Sequence, residues 1–171
     1  MKETVFYKSP IGAIRLVAED DALTELFFVS TERSGVASDD DVLYNNAQSE
    51  VLKKTVQQLD DYFSGKNLSF DIPLNQSAGT PFQQKVWKEL LNIRSGSTLS
   101  YLELSKRLGD VKAIRAVGTA NGRNTVSIIV PCHRVIGSNG TLVGYGGDLW
   151  RKKWLLEHEA RYSSGVQTLF D

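Results

Sequence analysis

The chain has one cysteine, two histidines and four prolines in 171 residues. A single cysteine excludes an intramolecular disulfide framework and suits a reducing compartment. No apolar run approaches the ~20 residues that a membrane-spanning helix needs. The opening segment, MKETVFYKSP, has no apolar signal-peptide core. These absences lead us to expect a soluble, cytoplasmic protein with no membrane association. A hydrophobic content of 41% and a charged content of 23% are ordinary for a globular chain. The length allows one large domain or two small ones.

Net charge is zero, but its distribution is uneven. Residues 1–79 carry seven basic and thirteen acidic side chains, and residues 80–171 carry thirteen basic and seven acidic ones. A basic second half is suited to a polyanion such as nucleic acid.

The first thirty residues have the pattern of an antiparallel meander: TVFYKS, IGAIRLVAE and ALTELFFV, separated by Ser9-Pro10 and Asp20-Asp21. Residues 31–46 are polar and acidic and predict a loop. Val51, Leu52, Val56, Leu59, Tyr62 and Phe63 recur at helical spacing and predict a helix over 48–63, ended by Ser64-Gly65. NLSFDIPL predicts one further strand. NQSAG, residues 75–79, is small and polar and marks an expected boundary between domains 1–76 and 77–171. Thr80, Pro81 and Gln83 then form a capping-box signature, opening a helix with Phe82, Val86, Trp87, Leu90 and Leu91 as its buried side. Ser100 and Glu103 form a second, opening YLELSKRLG. Gly109 and Asp110 separate this from VKAIRAVGTANG. Two short helices across a glycine-containing turn make a helix-turn-helix pattern, although a plain helical hairpin has the same pattern. IIV predicts a strand, and the five-glycine stretch PCHRVIGSNGTLVGYGGD predicts a loop. A last helix, LWRKKWLLEHEARY, is expected to bury Trp150, Trp154 and Leu155.

The lone Cys132 stands beside His133 and Arg134, just behind Pro131. The thiolate is the nucleophilic form of cysteine, so a neighbouring base or positive charge changes its reactivity. In an extended strand adjacent side chains face opposite ways, so a bridging water is the easier link between Cys132 and His133. His158, Glu157 and Glu159 offer partners on the last helix. Three readings are open from these residues alone: a zinc site, a cysteine hydrolase, and a buried structural cysteine.

PCHRV, preceded by IIV and followed by GYGG and WLLEHE, resembles the O6-alkylguanine-DNA alkyltransferases. The likeness extends back through TPFQQKVW, SYLELSKRLG and KAIRAVGTANGRN, and is dense over residues 80–160. The resemblance implies an α+β protein with a small N-terminal ribonuclease-H-like α/β domain. A C-terminal helical, winged-helix-like domain would carry the helix-turn-helix. It implies single-turnover repair, with an alkyl group passing irreversibly from O6-alkylguanine, and by extension O4-alkylthymine, to Cys132. No organic cofactor is implied. The zinc site of some relatives needs cysteines that this chain lacks, so no metal is expected.

By the same resemblance, His133 takes the thiol proton through water and Glu159 orients His133. Asn124 braces the turn before the cysteine, and Tyr101 bonds the base at N3. The main-chain carbonyls of Cys132 and Val135 are implied to accept from the exocyclic amine. Arg115 matches the arginine that fills the gap when the base is flipped out. Ala116, Gly118 and Ala120 permit close approach through the minor groove, although tight helix packing would also explain small residues there. Lys112 and Arg123 are candidate phosphate contacts. Tyr145, Gly146 and Gly147 fall in the substrate loop, where Gly146 replaces the serine common in the family. Ser127 replaces a proline found in some members, which predicts a roomier pocket. The expected partner is double-stranded DNA containing alkylated bases, bound by a monomer. A lesion sensor or a regulator using the helix-turn-helix alone are the alternatives. Gln167-Thr168-Leu169-Phe170 resembles a degenerate sliding-clamp-binding peptide, though a frayed terminus explains the tail more simply.

Overall fold

The computed structural model describes residues 1–29, 47–143 and 148–163. The expected loop at 31–46, Tyr145, Gly146, Gly147 and the clamp-like tail lie outside them. The chain divides into two compact units, Met1–Gln76 and Ser77–Asp171.

The first unit is built on a meander of β1 (Lys2–Ser9), β2 (Gly12–Glu19) and β3 (Ala22–Phe28), each antiparallel to the next. Ser9 pairs with Gly12 across the first turn, and Glu19 with Ala22 across the second. The central strand is buried almost throughout, with Ala13, Ile14, Leu16, Val17 and Ala18 in the core. Helix α1 (Glu50–Ser64) adds Val51, Leu52, Val56, Leu59 and Tyr62 to that core. Ser49 caps its start, and Gly65 at φ 82° ends it in a left-handed turn that favours glycine.

NLSFDIPL does not form the expected strand. A single bridge joins Leu74 to Leu23, because Pro73 has no N–H to offer a ladder. Upstream, the Asp71 amide donates to the Gln58 side chain and the Asp71 carboxylate meets Lys54, so this segment's polar groups are engaged by α1.

In the second unit, α2 (Pro81–Leu90) begins with the expected capping box and Pro81 in its first turn. It ends earlier than the pattern predicts. Asn92 and Ile93 donate to Glu89 and Leu90, bonds that tighten the last turn. Leu91 therefore turns outward, 52% exposed, and Ile93 takes a place in the core. Phe82 is also exposed rather than buried. The two-residue β4 (Leu99–Ser100) leads into α3 (Tyr101–Arg107), again through a complete capping box. Gly109, at φ 87°, closes α3. Asp110 caps a 3₁₀ turn at Val111–Ala113, and α4 (Ile114–Gly122) follows. The pair α3–α4 is the helix-turn-helix. The Trp87 ring N–H donates to the Ala120 carbonyl at 2.8 Å and ties α2 to α4.

The last helix, α5 (Leu149–Tyr162), buries a different face from the one expected. Trp150 is 54% exposed, with the Arg151 guanidinium 4.5 Å from its ring centroid, and Trp154 is half-buried. The buried positions are Lys152, Leu155, His158 and Glu159, which share one side of a 3.6-residue turn. Three of the four are polar, so apolar periodicity alone points to the wrong face. No helix among the described residues is long and apolar enough to cross a membrane.

Thr80→Ala removes the acceptor for the Gln83 amide. It is expected to lower the unfolding free energy by about 1 kcal/mol, seen as a lower urea midpoint with an unchanged slope.

Candidate active site

The segment leading to Cys132 is a chain of tight turns, not the strand expected for IIV. The Ile129 amide donates to the Ser127 carbonyl at 2.8 Å, enclosing Ile128 at φ 70°. That is the rarer, positive-φ γ-turn, unfavourable for a β-branched residue. Pro131, at φ −83° and ψ 65°, makes the commoner inverse γ-turn, with the Cys132 amide on the Val130 carbonyl. Asn124 holds the arrangement together. Its Nδ2 donates to the carbonyls of Val126 and Val130, and its Oδ1 accepts from the Val126 amide. Burial of Val126, Ile128 and Val130 offsets the strain.

Cys132–Arg134 is a 3₁₀ turn that passes into β5 (Val135–Ile136). These two elements lie in a stretch whose glycine content predicts only loop. Strand β5 pairs in parallel with β4, Leu99 opposite Val135 and Ser100 opposite Ile136. Tyr101 directly follows β4, so this short ladder sets the start of the helix-turn-helix beside the cysteine turn.

His133, Arg134 and Glu159 are all buried. Glu159 Oε2 lies 2.8 Å from His133 Nε2. The Arg134 guanidinium grips the same carboxylate with Nε at 2.7 Å and Nη2 at 2.9 Å. Arg134 is itself held by the Ile93 carbonyl and the Ser95 hydroxyl. Burial opposes ionisation of Glu159, but it is outweighed by His133 and by the Arg134 contacts, so the carboxyl is held well below its usual range. Burial likewise pushes His133 toward the neutral form, against the pull of Glu159. With His133 neutral, Arg134 is the cation that keeps Glu159 charged. An ionised carboxylate only accepts, so His133 carries its proton on Nε2. His133 Nδ1 is then a lone-pair acceptor, buried and without a partner.

Burial pushes the Cys132 thiol up, although Asn124, Lys152, its own amide and the Ser127 hydroxyl pull the other way. The resting group is a thiol. Lys152 is fully buried, and its ammonium donates to the carbonyls of Val135 at 2.6 Å and Val143 at 2.8 Å. Burial lowers it to about 8, with Cys132 acting in the opposite sense. The Tyr101 ring centroid is 5.9 Å from this ammonium, and its hydroxyl donates to the Val143 carbonyl. Asn121 donates to the Cys132 carbonyl at 3.2 Å. Both carbonyls that the resemblance assigns to the substrate amine are therefore already engaged.

Lys112, Arg115, Ala116 and Arg123 are exposed, and Gly118 is half-buried with its backbone against the Tyr101 ring. Ala120 is not at the surface. It is buried under Trp87, and tight packing explains its small size. His158 stacks on Trp154 at 4.7 Å, and among the described residues no group of His, Cys, Asp and Glu could hold a metal ion. Lys152, Asn121 and Arg134 are the site residues that sequence reasoning missed. An arginine within the motif and a lysine seven residues before Glu159 were visible signals. Their burial was not, because charged side chains are ordinarily solvated.

The description "6-O-methylguanine DNA methyltransferase, DNA binding domain" matches residues 81–161, and "6-O-methylguanine DNA methyltransferase, ribonuclease-like domain" matches residues 3–76. The chain belongs to the 6-O-methylguanine DNA methyltransferase family. The methylated-DNA–protein-cysteine methyltransferase of Methanosarcina mazei is 45% identical over 152 residues, 89% of this chain and 93% of that protein. The protein of the same name from Mycobacterium leprae is 47% identical over 165 residues, 95% of each chain. The crystal structure of Mycobacterium tuberculosis OGT in complex with DNA superposes with a TM-score of 0.78 at 42% identity, covering 99% of both chains. The two-part α+β architecture of this methyltransferase family, ribonuclease-like then DNA-binding, is thus the one expected.

Glu159 is held below the ~4.3 of an unfolded glutamate. The stability it contributes is therefore complete above about pH 5 and is lost as pH falls through the folded value. Glu159→Gln leaves Arg134 without its counter-charge and is expected to cost about 3 kcal/mol or more at pH 7. Urea unfolding between pH 3 and 7 should show a steep acid loss in the wild type and a shallower one in the variant.

Proposed function

We propose that Cys132 is the acceptor in direct-reversal DNA repair, taking an alkyl group from the O6 atom of guanine in DNA. The observation that carries this reading is the buried Arg134–Glu159–His133 network beside the chain's one cysteine. It keeps His133 neutral with Nδ1 unpartnered. A neutral imidazole with a free nitrogen is a base, and the neighbouring group that needs deprotonation is the thiol.

The steps follow. The Cys132 proton passes through a bridging water to His133 Nδ1, and Glu159 stabilises the imidazolium so formed. Sγ attacks the alkyl carbon in line, forming the S–C bond as the C–O6 bond breaks. The electron pair stays on the departing guanine, where the Tyr101 hydroxyl donates to N3 as negative charge develops. The product is a thioether, and no residue of the site offers a route back, so each molecule acts once. O4-alkylthymine is a second substrate of the same chemistry.

The chain is a DNA-binding protein of this family. The finer reading is a monomer on double-stranded DNA that uses α4 in the minor groove. The target atom is inaccessible in a stacked duplex, and extrusion of the base costs roughly a few kcal/mol. Exposed Arg115 fills the gap, with Lys112 and Arg123 on phosphates and Ala116 and Gly118 allowing close approach. Residues 77–171 carry both DNA binding and transfer, and residues 1–76 form the separate N-terminal domain.

Incubation with a duplex holding one O6-methylguanine is expected to replace one hydrogen by one methyl, confined to the Cys132 peptide and limited to one per protein. Cys132→Ser should bind the lesion and gain nothing. His133→Gln should slow the transfer by roughly 10²- to 10⁴-fold. An unmodified wild type that still binds would make the protein a lesion sensor. Serine at 127, where some relatives carry proline, predicts a roomier pocket, so transfer from O6-butylguanine should remain measurable. A collapse of the rate on that substrate would contradict the roomier pocket.

A further inference from the structure

Along α4 and its C-cap, Arg115, Ala116, Thr119, Gly122 and Arg123 are exposed and recur at helical spacing, while Val117, Ala120 and Asn121 are buried. Arg115 and Arg123 charge the two ends of the exposed side. Thr119 lies midway, one turn from each, and brings an uncharged hydrogen-bonding group to it. Gly122 marks the same side as a place of close approach. A Cβ there would meet nothing of the chain within 4 Å, and its φ is not positive, so neither internal packing nor backbone conformation asks for glycine. Glycine is unfavourable in a helix relative to alanine, and an external surface pressed against this side gives the reason that the chain itself does not.

The Thr119 hydroxyl donates to the Arg115 carbonyl at 3.0 Å. A carbonyl only accepts, so the hydroxyl hydrogen is committed inside the helix. What Thr119 Oγ1 offers outward is lone pairs. In the minor groove an A·T pair presents acceptors alone, adenine N3 and thymine O2, and a G·C pair adds the guanine N2 amine as a donor. An acceptor aimed into that groove is therefore matched by a G·C pair and opposed by an A·T pair.

We propose that Thr119 is a specificity-determining residue whose Oγ1 accepts from the N2 amine of an unmodified guanine flanking the lesion, so that alkyl transfer is favoured beside a G·C pair. The proposal rests on the reading of α4 as the element that enters the minor groove of the damaged duplex. It concerns a neighbouring pair, which stays stacked, and not the flipped base at Cys132. Arg115 is the residue assigned to the gap that this base leaves. One helical turn is about 5.4 Å, so Thr119 falls within about two base-pair steps of that gap.

The test measures single-turnover methyl transfer to Cys132, below saturation, from duplexes that hold one O6-methylguanine between A·T pairs. A single G·C pair is placed in turn at each nearby position on either side of the lesion. At the favoured position guanine is then replaced by inosine, which lacks only the amine. Wild type is expected to favour guanine over inosine there by roughly threefold or more. In Thr119→Val that ratio should fall to near one, and in Thr119→Ser, which keeps the hydroxyl, it should persist. Thr119→Ala repeats the measurement if thermal unfolding shows the valine variant misfolded. All the proteins meet the same duplexes, so a difference between their ratios does not come from pairing strength. A wild type with no favoured position would overturn the proposal. So would a ratio that survives in Thr119→Val, which would assign the preference to duplex stability. Arg115→Ala tests the underlying reading separately: a variant that transfers as fast as wild type would remove α4 from the groove, and Thr119 with it.

Discussion

The carboxylate of Glu159, gripped by Arg134 and facing His133, is the interaction on which the site depends. Two formal charges are taken out of water, and such a pair persists only when its remaining polar atoms are also satisfied. Here the Ile93 carbonyl and the Ser95 hydroxyl complete the guanidinium. The network therefore joins the loop after α2, the cysteine turn and α5. It also decides the chemistry. An ionised Glu159 places the His133 proton on Nε2 and leaves Nδ1 as an unpartnered lone-pair acceptor.

Burial sets the character of the other groups. It pushes the Cys132 thiol toward the protonated form. It also weakens the Lys152 ammonium, yet that group still ties the carbonyls of Val135 and Val143. The strained Ile128 turn is kept by Asn124 and by apolar burial on either side. A site built this way is rigid where the nucleophile sits. Among the described residues of α4, Asn121 Oδ1 is a buried side-chain acceptor without a hydrogen-bond partner.

Much of this was legible in the residues. The meander showed in alternation and turn residues, and both capping boxes formed as their spacing predicts, because those signals act within four residues. PCHRV and WLLEHE carried the family and its activity. Periodicity failed where polar residues are buried: α5 hides Lys152 and Glu159 and exposes Trp150, the reverse of what hydrophobicity implies. The strand expected for IIV became turns because side-chain bonds from Asn124 replaced a ladder.

The sequence by itself determined the local elements, the family and the identity of the nucleophile, since each rests on residue type and short spacing. Tertiary structure alone decided which nitrogen of His133 is free, that Arg134 sustains the charge on Glu159, and that Ala120 packs inward. It also decided that Asn121 lies beside Cys132. Those facts depend on contacts between residues 11 to 41 positions apart, and on the loss of water around them. Neither is written in any local pattern.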